Sequence, residues 1–468
     1  MKKILLALLI VGISYSGSQA THLMGSELTA ENIGGDDYLV TLTVYRDTLG
    51  IPMSLMQSIQ VDSAGAAWGT FSMDFDSTTG HLILGPYGIE IYTFTDTVTL
   101  PGPASYSINW INCCRNGAIL NCANPLSESM MLRTTVSTYG STGTNSTPVF
   151  LAPPVAFVSH NFPWQYNPLP FDADGDTLVW SIDTPKTSGY NNVAGWVTPS
   201  ADSLNPYSVD PMTGEVTWTP DMLGNFVASF LVDEYRNGVR IGSMRRDMQM
   251  VVVPDSNNVP RIANFNTLFP VNANGHNFIQ IAAENQFSVT MHGQDADPND
   301  QVWMEAYGEP FFLNTNPATF HTSGALQTNT TNGIFQWSPA SSHARPQDYI
   351  VVFRIGDHQF IYDETVLIKV GIGTGISDLN ADNFGNVFPN PADRNIFVPV
   401  TLSESSQIAV KIYDILGKRV ASFDAERYDR GQHLIGFNVD LNSGQYFMVI
   451  ESNEKVVSTQ KMIINRVK

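Results

Sequence analysis

The chain has 468 residues, more than one ordinary hydrophobic core holds, and this length predicts three or four domains. Its 44 acidic and 24 basic residues give a formal net charge of −20, which disfavours binding to a nucleic-acid backbone. Charged residues make up 15% of the chain and hydrophobic residues 43%, and 36 glycines and 27 prolines supply turns, so the composition favours ordered β-rich modules over disorder.

The first twenty residues predict export. Lys2 and Lys3 precede an apolar run at 4–13, and small residues then offer a cleavage site between Ala20 and Thr21. An uncleaved membrane anchor is the less favoured interpretation, because a bilayer-spanning helix needs about 20 apolar residues. No later segment is long and apolar enough to span a membrane, so the sequence predicts no transmembrane segment.

An N-terminal β domain is predicted for residues 21–145. In YLVTLTVYR, Val40, Leu42 and Val44 face one side and the residues between them face the other, which is the period of a half-buried strand. Similar alternation continues in IEIYTFTDTVTL. No helix longer than two turns is predicted after the signal peptide.

Three cysteines, Cys113, Cys114 and Cys122, lie within INCCRNGAILNC. In an oxidising compartment we expect one disulfide, in which Cys122 closes a short loop onto Cys113 or Cys114 and one thiol is left over. Such a loop would contribute roughly 2–3 kcal/mol by the chain-entropy estimate. A metal site is less favoured, because no histidine lies nearby and adjacent cysteines are awkward joint ligands for one zinc.

The next two segments, 146–255 and 256–371, are an internal repeat. FDADGDTLVW, GEVTWTP and FVASFLVDEYRNG in the first copy match QDADPNDQVW, GIFQWSP and YIVVFRIGDHQFI in the second. About 110 residues of short alternating strands and turns have the size and rhythm of an immunoglobulin-like sandwich. Trp218 and Trp337 are predicted to lie in the two cores, because each ends an alternating strand before a proline.

Two resemblances follow from these motifs. DPMTGEVTWTP and the acidic turns resemble the dystroglycan-type cadherin-like and related immunoglobulin-like repeats of bacterial surface proteins, although the second copy keeps only the part from 333 to 339. THLMGSELTAENIGG, VYRDTLG and NCCRNGAILN resemble a group of large exported, gliding motility-associated proteins of Bacteroidetes. The second resemblance implies no enzymatic activity.

After a linker at 372–384, residues 385–468 resemble the type A C-terminal sorting domain of the type IX secretion system. The motifs are NVFPNPADRNIFVPV, IAVKIYDILGKRV and SGQYFMVI. The residues that carry them include Pro389, Asn390, Pro391, Gly417, Gly444 and Tyr446. Alternation alone predicts a small β-sandwich here. The resemblance implies that the secretion machinery recognises this domain, removes it, and releases the protein or attaches it at the surface.

The repeated acidic turn is either a structural calcium site or a solvated turn between strands. Calcium takes six to eight oxygen ligands, which clustered carboxylates supply, whereas aspartates in turns also cap their own backbone. The candidate ligands are Asp172, Asp174, Asp176 and Asp233 in the first copy and Asp295, Asp297, Asp300 and Asp357 in the second. The first copy is the stronger candidate, because Gly175 lets the chain curl around an ion and Pro298 is more restricted.

The sequence contains no Gly-x-Ser-x-Gly elbow, His-Glu-x-x-His helix or phosphate-binding loop. We therefore expect an all-β chain of tandem sandwiches that acts as a non-enzymatic exported cell-surface protein, adhesive or structural, with a polysaccharide or another surface protein as ligand. The alternative is an accessory or catalytic component of secreted polysaccharide degradation, since a glycosidase needs only two carboxylates.

Overall fold

The structure is a computed structural model that describes residues 23–466 apart from 49, 51, 82–87, 139–143, 153–156, 255–256, 273, 323–326, 372–382, 386, 416 and 454. The predicted signal peptide, with its cleavage site at Ala20 and Thr21, lies outside the described residues. No helix within the described residues is long and apolar enough to cross a membrane.

Seven strands form the N-terminal part. They are β1 (Leu23–Gly34), β2 (Asp37–Asp47), β3 (Gln57–Ser63), β4 (Ala66–His81), β5 (Ile89–Thr99), β6 (Ser105–Asn112) and β7 (Met130–Ser137). They pair in the order β1-β2-β5-β4-β3-β6-β7. The alternation predicted for β2 is confirmed, because Val40, Leu42 and Val44 are fully buried, and they belong to the same core cluster as Trp110.

The first repeat contains eleven strands, most of them short. They are β8 (Val149–Phe150), β9 (Phe157–Ser159), β10 (Trp164–Tyr166), β11 (Pro170–Phe171), β12 (Thr177–Asp183), β13 (Lys186–Thr187), β14 (Asn191–Asn192), β15 (Ser208–Val209), β16 (Val216–Trp218), β17 (Gly224–Arg236) and β18 (Val239–Val253). Trp218 is fully buried among aromatic neighbours, as predicted. The hairpin of β17 and β18 is the longest in this repeat and pairs with β12.

Strand β18 joins the N-terminal part to the first repeat. It pairs with β7 through Ser243 and Thr135 and with β1 through Met248 and Gly25, so an eleven-stranded sheet runs through both parts and closes on itself. A Cβ on Gly25 would lie 2.8 Å from the carbonyl oxygen of Asp247, so only glycine fits this close approach. The two parts keep separate cores, and the boundary at 145/146 stays a prediction.

The second repeat is a sandwich of two sheets. Its strands are β19 (Arg261–Ile262), β20 (Asn277–Ala282), β21 (Phe287–Gln294), β22 (Gln301–Gly308), β23 (Thr319–Thr322), β24 (Gln327–Thr328), β25 (Thr330–Trp337), β26 (Tyr349–Gly356) and β27 (Ile361–Gly371), with one short helix α1 (Phe265–Leu268). The sheets are β19-β21-β25-β23 and β20-β27-β26-β22-β24. Trp337 and Phe353 are buried between them, as the repeat predicted for the tryptophan.

The C-terminal part is a smaller sandwich with its own core. Its strands are β28 (Asn383–Phe384), β29 (Asn395–Leu402), β30 (Ser406–Asp414), β31 (Arg419–Tyr428), β32 (Gly431–Asn438), β33 (Gly444–Ser452) and β34 (Lys455–Ile464). They form the sheets β28-β29-β32 and β31-β30-β33-β34. Ile408, Val410 and Ile412 are buried, as their alternation predicted. The predicted all-β class with tandem sandwiches is therefore confirmed.

Short 3-10 turns occupy several of the connections. They are Pro125–Ser127, Ser188–Tyr190, Glu309–Phe312 and Ser341–His343.

The structure differs from the expected disulfide of Cys122, which stays a prediction. Cys113 is bonded to Cys114, its neighbour in the chain, and Cys122 is a free, half-buried thiol. Cys122 follows Asn121, whose side-chain amide donates to the carbonyl oxygens of Val197 and Val227. This anchor holds the Cys122 segment on the first repeat, and the remaining two thiols are adjacent and pair with each other.

Candidate metal centres

The first acidic turn gathers its three aspartates between β11 and β12. Asp172, Asp174 and Asp176 each place a carboxylate oxygen within 4.8 Å of the others. Gly175 has φ +78°, a left-handed conformation that lets the chain turn at this point. The backbone N–H of Asp176 donates to Asp172 Oδ1 at 3.0 Å, so the turn is also closed by an aspartate cap. The geometry of this motif is therefore compatible both with a calcium site and with a turn closed by aspartate side chains.

A guanidinium group already lies in the first acidic turn. Arg236, the last residue of β17, donates to both carboxylate oxygens of Asp176, at 2.7 Å from Nε and 2.5 Å from Nη2. Its Nη2 also lies 3.4 Å from Asp174 Oδ2. The backbone N–H of Ser146 donates to the same Asp174 oxygen at 2.7 Å. A fixed cation thus stands where a metal ion would neutralise these carboxylates.

Glu234 is a fourth acidic group of this turn that the sequence did not single out. It is fully buried, lies beside the Asp172 carboxylate, and accepts a hydrogen bond from Asn145 at 2.9 Å. Burial and the neighbouring Asp172 carboxylate raise the pKa of Glu234 to about 10. Glu234 is therefore protonated at neutral pH, and burial also raises the pKa of Asp172.

Asp233 does not gather with the aspartates of the first turn. Successive residues of a strand point to opposite faces, so Asp233 and Glu234 cannot both face the turn. Asp233 instead accepts a 2.7 Å hydrogen bond from Arg240 Nε, across the β17–β18 hairpin. The acidic residue that β17 contributes to the turn is therefore Glu234, although the sequence repeat pointed to Asp233.

The second acidic turn lies between β21 and β22 and brings four predicted aspartates together. Carboxylate oxygens of Asp295, Asp297 and Asp300 lie within 4.8 Å of one another, and a second group of the same size joins Asp300 to Asp357 and His358. Asp357 can join this turn because it lies just after the end of β26 at residue 356. Its counterpart in the first copy, Asp233, lies inside β17, which continues for three more residues. We call Asp295, Asp297, Asp300 and Asp357 the second acidic cluster.

The second acidic cluster has no counterpart of Arg236. In the part of the chain that the structure describes, its ion-pair partner is His358, whose Nδ1 lies 3.2 Å from Asp300 Oδ2, and neither a lysine nor an arginine pairs with it. Two unit charges 4.8 Å apart repel by about 3.5 kcal/mol at an effective dielectric near 20, before solvent screening. Burial, followed by the charges of its acidic neighbours, raises the pKa of Asp295 to about 6.

Two asparagines that lie between β18 and β19, in the stretch across the predicted boundary at 255/256, reach the second acidic cluster. We call this stretch the segment between the repeats. Asn257 Nδ2 donates to Asp357 Oδ2 at 2.8 Å, and the backbone N–H of Asn258 donates to Asp297 Oδ2 at 2.7 Å. Neither was singled out from the sequence, although paired amides beside an acidic repeat were a usable signal. The cluster therefore connects the second repeat to the segment that links it to the first.

The predicted sorting motif clamps the edge of the C-terminal sandwich. Asn390, between Pro389 and Pro391, donates from Nδ2 to the Lys461 carbonyl oxygen at 3.0 Å and accepts from the Ile463 N–H at 2.8 Å. Its side chain thereby satisfies two backbone groups of β34.

The remaining motif residues shape the same sandwich. Gly417, with φ +79°, turns the β30–β31 hairpin, and Gly444 begins β33. Tyr446 donates from its hydroxyl to the Asn442 carbonyl oxygen at 2.9 Å.

Residues 386–465 match the family described as a secretion system C-terminal sorting domain. The C-terminal part is a type IX sorting domain. It directs export of the chain out of the cell, to the surface or the surroundings, and implies contact with the secretion machinery. No curated protein is significantly similar to the chain.

Several solved structures are similar to parts of the chain. Domains A168-A170 of titin are 10% identical and cover 68% of this chain and 97% of that one, with a TM-score of 0.17. The N-terminal four immunoglobulin domains of Dscam1 isoform 7.44 are 11% identical and cover 95% and 100%, with a TM-score of 0.18. A DUF4785 family protein from Legionella pneumophila is 12% identical and covers 67% and 83%, with a TM-score of 0.21. Likenesses at these scores carry no argument about function.

Proposed function

We propose that this exported protein is a non-enzymatic component of the cell surface, in which linked sandwiches form a stiff spacer and the N-terminal part binds polysaccharide or another surface protein. The observation that carries the proposal is that buried polar contacts join successive modules. A spacer of this kind transmits position and force only if its joints resist bending, and buried paired charges resist separation because each partner alone would be costly to bury.

The joint between the two repeats is the clearest case. Arg354 donates to both carboxylate oxygens of Asp363, at 2.7 and 2.8 Å, within the second repeat. Asp363 Oδ2 also accepts the backbone N–H of Asn167, from the first repeat, at 3.0 Å. All three residues are at most 1% exposed. Separating the repeats would leave this amide and this carboxylate without each other, which favours one fixed orientation.

One cavity of the described chain lacks the acidic groups that the alternative function would need. This small, partly open cavity lies where the repeats meet, and its wall is mostly apolar. The residues that line it are Phe157, Ser159, Phe162, Pro163, Trp164, Val259, Phe360 and Ile361. It contains no pair of carboxylates of the kind that glycoside hydrolysis needs.

The test uses the secreted protein on an array of bacterial and algal polysaccharides and on intact producing cells. We expect retention on a glycan or on the cell surface, with no release of reducing ends from any glycan retained. Release of reducing ends would overturn the non-enzymatic assignment in favour of polysaccharide degradation. Absence of retention on both supports would leave a spacer without a soluble ligand and would overturn the binding role of the N-terminal part.

A further inference from the structure

We propose that the second acidic cluster, and not the first, is a calcium site that fixes the segment between the repeats. The inference goes beyond the proposed function, since it stands whether or not the chain binds a glycan. It also reverses the order expected from the sequence, in which the glycine of the first turn made that copy the stronger candidate.

Two observations support this calcium site. Four carboxylates lie close together, and one oxygen of Asp295 is buried without a hydrogen-bond donor. Asp295 is only 5% exposed, and its Oδ1 accepts the backbone N–H of Asp297 at 2.8 Å. Its other oxygen, Oδ2, is buried and accepts no hydrogen bond from the described residues. A buried acceptor without a donor is costly, and a bound cation is a partner that would satisfy it.

The donor set suits calcium. Four carboxylates supply hard oxygens from four different chain positions, and calcium tolerates irregular geometry with six to eight ligands, the remainder being water. Magnesium requires a near-ideal octahedron and retains its own waters, so it fits such a spread set less well. Sulfur is absent from the cluster and one exposed histidine lies at its rim, which disfavours zinc or copper.

The first copy shows what the same motif does without an ion. There the guanidinium of Arg236 supplies the positive charge, through two hydrogen bonds to Asp176. Among the described residues, the second copy has no such cation, since the residue after its terminal aspartate is the exposed His358 and its strand ends too early to present an arginine. One repeat therefore carries an internal cation, and the other requires one from solution.

Calcium in the second acidic cluster would order the segment between the repeats, because two asparagines of that segment donate hydrogen bonds to carboxylates of the cluster. Asn258 holds Asp297 through both its backbone and side-chain nitrogens, at 2.7 and 3.1 Å, and Asn257 holds Asp357. Fixing these carboxylates fixes the linking segment beside them. Loss of the ion would leave four like charges facing one another and would loosen the same segment.

The experiment uses terbium, which occupies calcium sites and luminesces when a nearby tryptophan transfers energy to it. Trp303 donates from Nε1 to the Asp357 carbonyl oxygen at 3.1 Å, so it lies beside the cluster. In the full chain stripped with chelator, we expect sensitised terbium emission that calcium displaces. Asp295→Asn and Asp300→Asn should each weaken terbium binding at least tenfold. Asp174→Asn, the matched change in the first acidic turn, should leave it unchanged.

A stability measurement separates a missing ligand from a damaged fold. Asp295→Asn removes one like charge, so in chelator it should melt at the temperature of the unchanged protein or above it. In calcium the order should reverse, because only the unchanged protein gains the full stabilisation of a ligand. Emission that is insensitive to Asp295→Asn and Asp300→Asn would overturn the proposal. So would a lower melting temperature for Asp295→Asn in chelator, since the carboxylate would then serve the fold without an ion.

Discussion

Arg115 and Asp247 form a buried ion pair through two hydrogen bonds, of 2.8 Å from Nη1 and 2.7 Å from Nη2, although 132 positions separate them in the chain. Their side chains are 1% and 0% exposed. Arg115 belongs to the CCRN segment of the N-terminal part, and Asp247 lies on β18. The pair therefore fastens the N-terminal part to the strand that closes its sheet.

Arg115→Met should lower the free energy of unfolding by about 3–5 kcal/mol, because it leaves the Asp247 carboxylate buried without its charged partner. Urea unfolding followed by tryptophan fluorescence measures the loss. Arg240→Met, which breaks the more exposed pair with Asp233, is the control and should cost at most about 1 kcal/mol. Equal losses in both variants would contradict the structural role given to the buried pair.

Glu234→Gln should stabilise the protein increasingly as pH rises. The pKa of Glu234 is raised by burial to about 10, so its contribution to stability is complete below its unfolded value near 4.5 and is lost as pH rises toward 10. Glutamine keeps a donor beside Asp172 and cannot ionise. The variant should therefore gain up to about 1.4 kcal/mol per pH unit over the unchanged protein between pH 5 and 9 in urea unfolding. Glu31→Gln, an exposed change on β1, should show no such divergence, and a parallel pair of curves for Glu234→Gln would refute the assignment.

Arg236→Gln should convert the first acidic turn into an ion-dependent one. Removing the guanidinium leaves Asp174 and Asp176 without their cation, and we expect a loss of about 1–3 kcal/mol in chelator, because the pair is only partly exposed. Calcium should restore part of this loss. The measurement is best made with Asp295→Asn also present, so that the second acidic cluster contributes little. A loss that calcium leaves untouched would show that the first turn cannot hold the ion.

Cys122 should be the thiol that alkylates without reduction. The structure bonds Cys113 to Cys114, so iodoacetamide under denaturing, non-reducing conditions should add one group, on Cys122, and three after reduction. In the native protein the reaction should be slow at neutral pH, because burial raises the pKa of the Cys122 thiol. Peptide mass spectrometry locates the label. Labelling of Cys113 or Cys114 before reduction would instead support the bridge from Cys122.

Asn390→Ala should impair export by loosening the sorting domain. The change leaves the Lys461 carbonyl and the Ile463 N–H without their partner, at an expected cost of about 1–3 kcal/mol to this sandwich. The secreted fraction, measured by immunoblot of cells and medium, should fall while precursor accumulates in cells. Asn438→Ala removes an exposed contact with Asn395 on the same sandwich and should be secreted normally. Unchanged secretion of Asn390→Ala would show that this clamp is dispensable.

Most of what the sequence predicted correctly about the fold came from the alternation of residues along single strands. Val40 and its alternating neighbours, Ile408 on β30, and the two repeat tryptophans are buried because strand period and burial are local properties. Alignment of the two repeats, in contrast, pointed to Asp295, Asp297, Asp300 and Asp357, which lie close together in the structure. Pairing between distant strands has no local signature, so β18 closing the N-terminal sheet was not foreseen.

The site was predicted less well, because one residue of register decides which side chain enters a cluster. Asp233 and Glu234 are adjacent and acidic, and only the pairing of β17 with β12 determines which of them faces the turn. The role of Arg236 depends on β17 running past Asp233. Its counterpart strand stops earlier, and no composition or motif in the repeat indicates that difference.

Because β18 closes the N-terminal sheet, the N-terminal part and the first repeat are expected to stay together when genes rearrange. A rearrangement that cut the gene between the N-terminal part and the first repeat would leave β1 and β7 with unpaired backbone groups along exposed edges, which invites association between molecules. Residues 23–253 would therefore have to be exchanged between proteins together, whereas the sorting domain has its own two sheets and core and can be exchanged without dividing a sheet.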